Sequence, residues 1–209
     1  LHVTMSSGIS STYSQATSAA NILKEEFPDR KILVLDSMCA GAGFGLVAEE
    51  MSVLRKNGAS IEEAYEQGLI FRRKVNHLFV PTDLEYLFKG GRLSRTEALV
   101  GGLLNICPMI CIDPQGKLAV LMKVKGKKKA FKELAAQALL RAAGGADFDR
   151  ILYVCHCHCI DDAEKVAELV REVLPKAQIR IGNVGLAMGC HSGPGGVALF
   201  FAGDRETWI

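Results

Sequence analysis

The first third of the chain alternates short apolar runs with longer stretches of helix-forming residues. Residues 1–5 have the pattern of a strand, and a helix is predicted over residues 10–27, where Pro28 and Asp29 end it. The β-branched and leucine-rich run at residues 31–35 predicts the next strand. Because parallel strands need a crossover of about this length, we expect a parallel α/β arrangement.

Two further helices follow in this part of the chain. A glycine-punctuated turn at residues 41–45 opens a helix predicted to run through Leu54 and to end at Asn57 and Gly58. Ser60, followed three residues later by Glu63, has the pattern of a capping box and predicts the start of a third helix.

The pattern changes near residue 75, where we place a domain boundary. Two apolar runs flank residues 113–116, whose composition favours a tight turn, so a β-hairpin with antiparallel strands is expected. The other predicted elements beyond residue 75 are strands at 77–80, 151–155, 178–181 and 196–202 and helices at 84–89, from Thr96, at 128–143 and at 161–174. The prediction is an N-terminal α/β domain (1–74) and a C-terminal α+β domain (75–209) with a largely antiparallel sheet.

Composition narrows the class of partner. The chain is 49% hydrophobic, and its 25 basic and 23 acidic residues give a net charge of only +2, which favours a small ligand over nucleic acid or an anionic membrane. The apolar runs are too short to span a bilayer and no signal peptide opens the sequence, so a cytoplasmic protein is expected. Seven cysteines, an odd number, predict reduced thiols.

Three segments contain candidate binding residues. Ser and Thr supply five of the eight residues 6–13, where a helix begins and its free N–H groups attract an anion; alternatively, Ser10 or Ser11 only caps that helix. Residues 189–196 read as a glycine-rich loop in which His191 can donate to a carboxylate or phosphate, or as an ordinary tight turn. Arg92 follows a helix that ends at two glycines, and is either an anion-binding fork or a solvated cation.

These segments occur together in the order typical of one protein family. The chain contains Ser-Ser-x-x-Ser-x-Thr-Tyr, then Leu-x-Tyr-Leu-x-x-Gly-Gly-Arg-x-Ser, then His-x-Gly-Pro-Gly, and in this it resembles the DegV family over nearly all 209 residues. The resemblance implies a two-domain α/β protein that buries a long-chain fatty acid between its domains. It also implies a carrier without catalysis of its own, expected to be a monomer, which presents the fatty acid to a fatty acid kinase for acyl-phosphate formation.

The same resemblance assigns roles to individual residues. Ser10 matches the serine that bonds the fatty acid carboxylate, Ser11 supplies a neighbouring backbone amide, and His191 matches the histidine that bonds the same carboxylate. Arg92 matches an arginine near the head group. Ser11 replaces the usual glycine, and the family's Thr-Ser-x-Pro-Ser segment, whose threonine completes the carboxylate site, would precede Leu1, so we expect the chain to be a fragment.

Several alternatives stay open at this point. Ser10 and His191 could serve as nucleophile and base of a lipid hydrolase, with Asp36 or Asp83 as orienting acid, although the sequence has no Gly-x-Ser-x-Gly elbow. The glycine turn at 41–45 lacks the third glycine of a dinucleotide-binding loop.

Two further segments have competing interpretations. Alternation along residues 155–159 would place three thiols on one face and two imidazoles on the other. Either set could bind zinc or copper, or the cysteines are buried small side chains and His158 caps the next helix or packs near it. The lysines at residues 123–129 form either a solvated face or a kinase-docking surface.

Overall fold

The structure is a computed structural model that describes residues 1–94 and 105–205. Its strands and α-helices, in chain order, are β1 (His2–Thr4), α1 (Thr12–Glu26), β2 (Val34–Asp36), α2 (Ala42–Lys56), α3 (Ile61–Phe71), β3 (Val75–Val80), α4 (Glu85–Lys89), β4 (Ile106–Ile112), β5 (Leu118–Lys125), α5 (Lys127–Arg141), β6 (Ile151–His156), α6 (Ile160–Val173), β7 (Gln178–Asn183), α7 (Leu186–Ser192) and β8 (Val197–Ala202). The helical stretch predicted from Thr96 lies outside the described residues.

The strands form two sheets. β1 and β2 pair in parallel, and the other six follow the order β5-β4-β3-β8-β6-β7. Neighbours in this second sheet are antiparallel, apart from the parallel pair β6 and β7. The predicted fold class, a parallel α/β part followed by an α+β part with a largely antiparallel sheet, is confirmed. The division into domains 1–74 and 75–209 stays a prediction.

Both faces of the central strand β8 are covered, which explains why it is apolar at every position. Leu199 and Phe201 are fully buried in a core shared with α5 and α6. Phe200 points the other way and joins a second cluster with Leu35 of β2 and Val47 of α2. Since alternate residues of a strand face opposite sides, β8 lies between the α5–α6 layer and the layer formed by the first part of the chain.

The helix boundaries agree with the sequence where local signals are strong. Ser60 Oγ accepts the N–H of Glu63 at 3.2 Å, and the Glu63 carboxylate accepts the N–H of Ser60 at 2.7 Å, so the predicted capping box is formed. These bonds lower the pKa of the Glu63 carboxyl.

Among the described residues, no helix has both the length and the apolar composition needed to cross a bilayer.

Two local predictions are wrong. His191 does not lie in a loop: it occupies the last turn of α7, and the irregular backbone begins only at Gly193 (φ +69°). Strand β6 ends at His156, so alternation does not continue through residues 157–159, where His158 has a left-handed backbone (φ +55°). His156, rather than His158, accepts the N–H of Cys159 at the start of α6.

Candidate functional site

A cavity of about 370 Å³ lies between the two layers, on the face of the six-stranded sheet opposite α5 and α6. The sheet contributes Phe79, Ile110 and Phe200 to its wall, the first part of the chain contributes Ala40, and α7 contributes Met188. The wall is mainly apolar, and the strand alternation that buries one face of β8 in the core turns the other face toward this space.

Three of the predicted site residues line this one cavity: Ser10, Arg92 and His191. They come from three distant segments, the turn before α1, the turn after α4 and the helix α7. The Arg92–Ile9 hydrogen bond and the packing of His191 on Gly90 link the three segments. We call the part of the cavity that these three side chains line its polar end.

Ser11 occupies a different position from Ser10. It is exposed at the N-cap of α1, and its side chain makes no capping bond to the helix backbone. Ser10 Oγ accepts the N–H of Thr12 at 3.2 Å and lies 2.7 Å from the Thr12 hydroxyl oxygen. Ser10 thus supports the first turn of α1 while lining the cavity, so the capping and binding interpretations are compatible.

The serine loop, which we define as residues 6–11, is anchored from two directions. The Asp36 carboxylate accepts from the Ser7 hydroxyl at 2.6 Å and from the Ser7 N–H at 3.2 Å. Ser6 Oγ donates to the carbonyl of Gly116 in the β4–β5 turn at 2.6 Å. A Cβ added at Gly8 would lie only 2.6 Å from the carbonyl group of Gly116, so this contact requires glycine. The loop position is consequently set by both layers.

Arg92 anchors the same loop from the cavity side. Its Nε donates to the carbonyl of Ile9 at 3.2 Å, and its Nη1 donates to the carbonyl of Gly90. A guanidinium carries five N–H donors, so these two bonds leave others for an anion. Arg92 is half-buried, which gives it access to both the cavity and solvent.

His191 lies close to the Arg92 segment because a glycine, Gly90, stands between them. A Cβ added at Gly90 would lie 2.2 Å from His191 Nδ1, so the imidazole packs directly on the Gly90 backbone. At the end of α7, a Cβ at Gly193 would lie 2.4 Å from the Tyr86 ring of α4. The two glycines let α4 and α7 pack closely, and this brings the imidazole next to the Arg92 segment.

One cavity residue, His77 on β3, was not predicted from the sequence. Its imidazole is only 5% exposed, its Nε2 accepts the N–H of Ala40 at 3.2 Å, and its ring meets Phe200 edge-on at 5.4 Å. Burial, together with the nearby positive charge of Arg205, lowers the pKa of His77 to about 3, so the ring is neutral at pH 7. The sequence shows that His77 and Phe79 lie on the same face of β3, two residues apart. It does not show that the first part of the chain covers this face.

The cysteine-rich segment contributes a thiol to the cavity wall. Cys157 lines the cavity with its Sγ 3.2 Å from Ser192 Oγ, and burial raises the pKa of this thiol. Cys155 is also buried, and burial raises the pKa of its thiol to about 11. Within residues 1–94 and 105–205, no cluster of three or more His, Cys, Asp or Glu side chains has a metal-binding arrangement.

The lysines at residues 123–129 lie at the end of β5 and the start of α5, and none of them lines the cavity. Lys127 forms an ion pair with Asp162 and lies 5.6 Å from the centre of the Phe131 ring. Lys123, Lys125 and Lys128 are exposed. This arrangement is that of a solvated face, and docking of a kinase at it stays a hypothesis.

Comparisons with known proteins agree with this architecture. A family profile described as "Uncharacterised protein, DegV family" matches residues 1–204. A DegV domain-containing protein of Clostridium perfringens is 35% identical over 206 residues, which are 99% of this chain and 70% of that protein.

Solved structures are similar over almost the whole chain. The Fatty Acid Kinase (Fak) B3 protein of Streptococcus pneumoniae, loaded with linoleic acid, has a TM-score of 0.87 at 29% identity, covering 97% of this chain and 70% of that one. A DegV family protein of Ruminococcus gnavus, refined with vaccenic acid, has a TM-score of 0.84 at 29% identity. The match covers 95% of this chain and 70% of that one. The chain belongs to the DegV family.

Proposed function

We propose that this chain binds one long-chain fatty acid in the cavity, between residues 1–74 and 75–209, with the carboxylate at the end formed by Ser10, Arg92 and His191. The observation that carries the proposal is that these three polar side chains, from segments linked by the Arg92–Ile9 bond and the His191–Gly90 packing, line one cavity with a mainly apolar wall. The similar proteins of S. pneumoniae and R. gnavus, which contain linoleic and vaccenic acid, support the same ligand class.

The apolar wall supplies most of the binding free energy. Removing a CH₂ group from water contributes about 0.8 kcal/mol, so a chain of some sixteen carbons gains roughly 10 kcal/mol or more. Association costs an estimated 4–15 kcal/mol in lost freedom of motion, so the chain alone gives modest affinity. Donors at the polar end then add to the affinity and fix the orientation of the ligand.

The hydrogen-bond pattern at the polar end suits a carboxylate. When the Thr12 hydroxyl donates to Ser10 Oγ across their 2.7 Å contact, the Ser10 proton is available for a ligand oxygen. The imidazole of His191 and the backbone N–H of Ser11 supply further donors. Bonds of this kind to an ionised group contribute about 1.5–3 kcal/mol each.

The lipid hydrolase is less well supported. The Asp36 carboxylate accepts from Ser7 and Met38, and that of Asp83 accepts from the N–H of Glu85. Both candidate orienting acids therefore hold backbone turns, and no hydrogen bond among the described residues connects either of them to His191. A nucleophile–base–acid chain needs that connection.

We further propose that the bound fatty acid is presented to a fatty acid kinase, which phosphorylates its carboxylate with ATP, and that this chain has no catalytic step of its own. Arg92 and His191 are half-buried, so the head-group end is accessible from solvent as such a transfer requires. The positive charge of Arg92 and the free N–H groups at the start of α1 would stabilise the charge that develops on the acyl phosphate.

The test is a reconstituted reaction with purified fatty acid kinase, magnesium, ATP and a radiolabelled long-chain fatty acid, with acyl phosphate trapped by hydroxylamine as the hydroxamate. We expect hydroxamate only when the kinase and this protein are both present, and loss of the product with the Ser10→Ala/His191→Ala variant. Equal product from the kinase alone would contradict presentation. Release of fatty acid from a p-nitrophenyl ester by this protein alone would favour the hydrolase.

A further inference from the structure

We propose that Arg205 is a positioning residue that holds the two anchors of the serine loop at a fixed separation and so keeps Ser10 in place to bind the ligand. The proposal rests on the fatty-acid-binding function above. Arg205 follows β8, is only 7% exposed, and does not line the cavity wall described here.

The guanidinium of Arg205 bridges the two layers. Nη1 donates to the carbonyls of Met38 at 3.2 Å and Arg72 at 3.1 Å, both in the layer formed by the first part of the chain. Nη2 donates to the carbonyls of Ile112 at 3.2 Å and Asp113 at 2.9 Å, where β4 enters its turn. One planar fork therefore fixes four backbone positions relative to one another.

Two of these four positions, Met38 and Asp113, are bonded to the residues that anchor the serine loop. Met38 donates its N–H to Asp36 at 2.9 Å, and Asp36 binds Ser7. Asp113 lies in the same turn as Gly116, whose carbonyl accepts the Ser6 hydroxyl. Arg205 is thus connected to each anchor through one intermediate residue, Met38 on the side of Asp36 and Asp113 on the side of Gly116.

The turn that Arg205 holds is itself stiff. Asp113 Oδ1 accepts the N–H groups of Gln115 at 2.9 Å and Lys117 at 2.8 Å, and the Gly116 N–H donates to the Asp113 carbonyl at 3.0 Å. A displacement of Asp113 would therefore carry Gly116 with it. Because Gly8 packs against the Gly116 carbonyl without room for a Cβ, the serine loop would have to follow.

Burying the charge of Arg205 costs desolvation free energy, which argues that the residue has a specific role. Burial lowers the pKa of its guanidinium, yet arginine stays protonated at physiological pH, so its positive charge is retained in the interior. Four carbonyl dipoles compensate it. An apolar side chain at this position would avoid the desolvation cost but could not connect the four carbonyls.

The experiment compares Arg205→Met and Arg205→Lys with Arg141→Met. Arg141 is the control: it is also buried, but it lies in the last turn of α5 and its Nε donates to Gln137 of the same helix. Its backbone carbonyl accepts the N–H of Asp204 at 2.8 Å, a bond that a methionine at this position retains. For each protein, three quantities are measured: the urea midpoint of unfolding, the Kd for oleic acid, and the hydrogen-exchange rates of the amides of residues 6–12 without ligand.

We expect both methionine variants to lose stability, but only Arg205→Met to exchange faster in the serine loop and to bind oleic acid at least roughly tenfold more weakly. Arg205→Lys, which keeps the charge but has one compact donor group, should fall between wild type and Arg205→Met. Arg141→Met should bind within about twofold of wild type, because the Arg141 side chain donates within its own helix while the Arg205 side chain donates to the residues next to the loop's anchors.

Unchanged loop exchange in Arg205→Met, or equal effects of Arg205→Met and Arg141→Met, would overturn the proposal. Should Arg205→Met fail to fold, the same comparison is made with Arg205→Lys alone, where unaltered exchange and affinity would again overturn it. A wild-type protein that binds no oleic acid would contradict the proposed function instead, while the ligand-free exchange rates would still test Arg205.

Discussion

In the Ser10→Ala/His191→Ala variant, the Kd for a long-chain fatty acid is expected to rise roughly 10²- to 10⁴-fold. Each substitution removes a donor to an ionised carboxylate, worth about 1.5–3 kcal/mol, and every 1.4 kcal/mol corresponds to a factor of about ten. The apolar wall is left intact, so weak binding should persist. Isothermal titration calorimetry with oleic acid, on delipidated protein, measures the change.

The chain offers a control one residue away. Ser11→Ala changes an exposed hydroxyl at the N-cap of α1 and leaves the backbone N–H in place. We expect the Kd to change by less than about threefold, because the Ser11 side chain makes no capping bond that would be lost. If Ser11→Ala were as damaging as the double variant, or if the double variant kept wild-type affinity, the assigned carboxylate site would be wrong.

Acidification is expected to destabilise the protein through His77. Its pKa is about 3 in the folded chain, well below the ordinary value of 6.5 that it regains on unfolding. The unfolded state therefore binds more protons, so the stabilising contribution is present above pH 6.5 and is lost as the pH falls toward 3. The contribution of His77 amounts to roughly 1 kcal/mol for each pH unit in that window.

Urea unfolding at several values between pH 7 and pH 4.5 measures this dependence. His77→Phe should lower stability at pH 7, because the Ala40 N–H loses its acceptor, but it should also flatten the decline toward acid. His158→Asn is the matched control, since His158 is exposed and asparagine tolerates its left-handed backbone. A decline that is as steep in His77→Phe as in His158→Asn would refute the assignment to His77.

The parts of the fold that sequence reasoning predicted well depend on local signals. The capping box of Ser60 and Glu63 fixes the start of α3 because both partners lie within one turn. The turn at Asp113–Gly116 has few conformational options, so the β4–β5 hairpin was predictable. The grouping of Ser10, Arg92 and His191 came from a family resemblance, because spacing along the chain cannot show that distant segments meet.

The errors arise where contacts between distant residues decide the structure. Helix α7 spans seven residues, contains Gly189 and has no side-chain cap, so its composition favours a loop. In the folded chain, Gly193 packs against Tyr86 and His191 packs against Gly90. These contacts join α7 to α4, and no local sequence pattern reveals them. The role of Arg205 depends in the same way on four carbonyls that are 92 to 167 residues away in sequence.

The most direct test of the central claim is native mass spectrometry of the purified wild-type protein, followed by solvent extraction and identification of the bound lipid. We expect an added mass of a single long-chain fatty acid per chain, and we expect the same fatty acid in the extract. A protein that carries no lipid, even after incubation with oleic acid, or that carries a metal ion or a nucleotide instead, would contradict it.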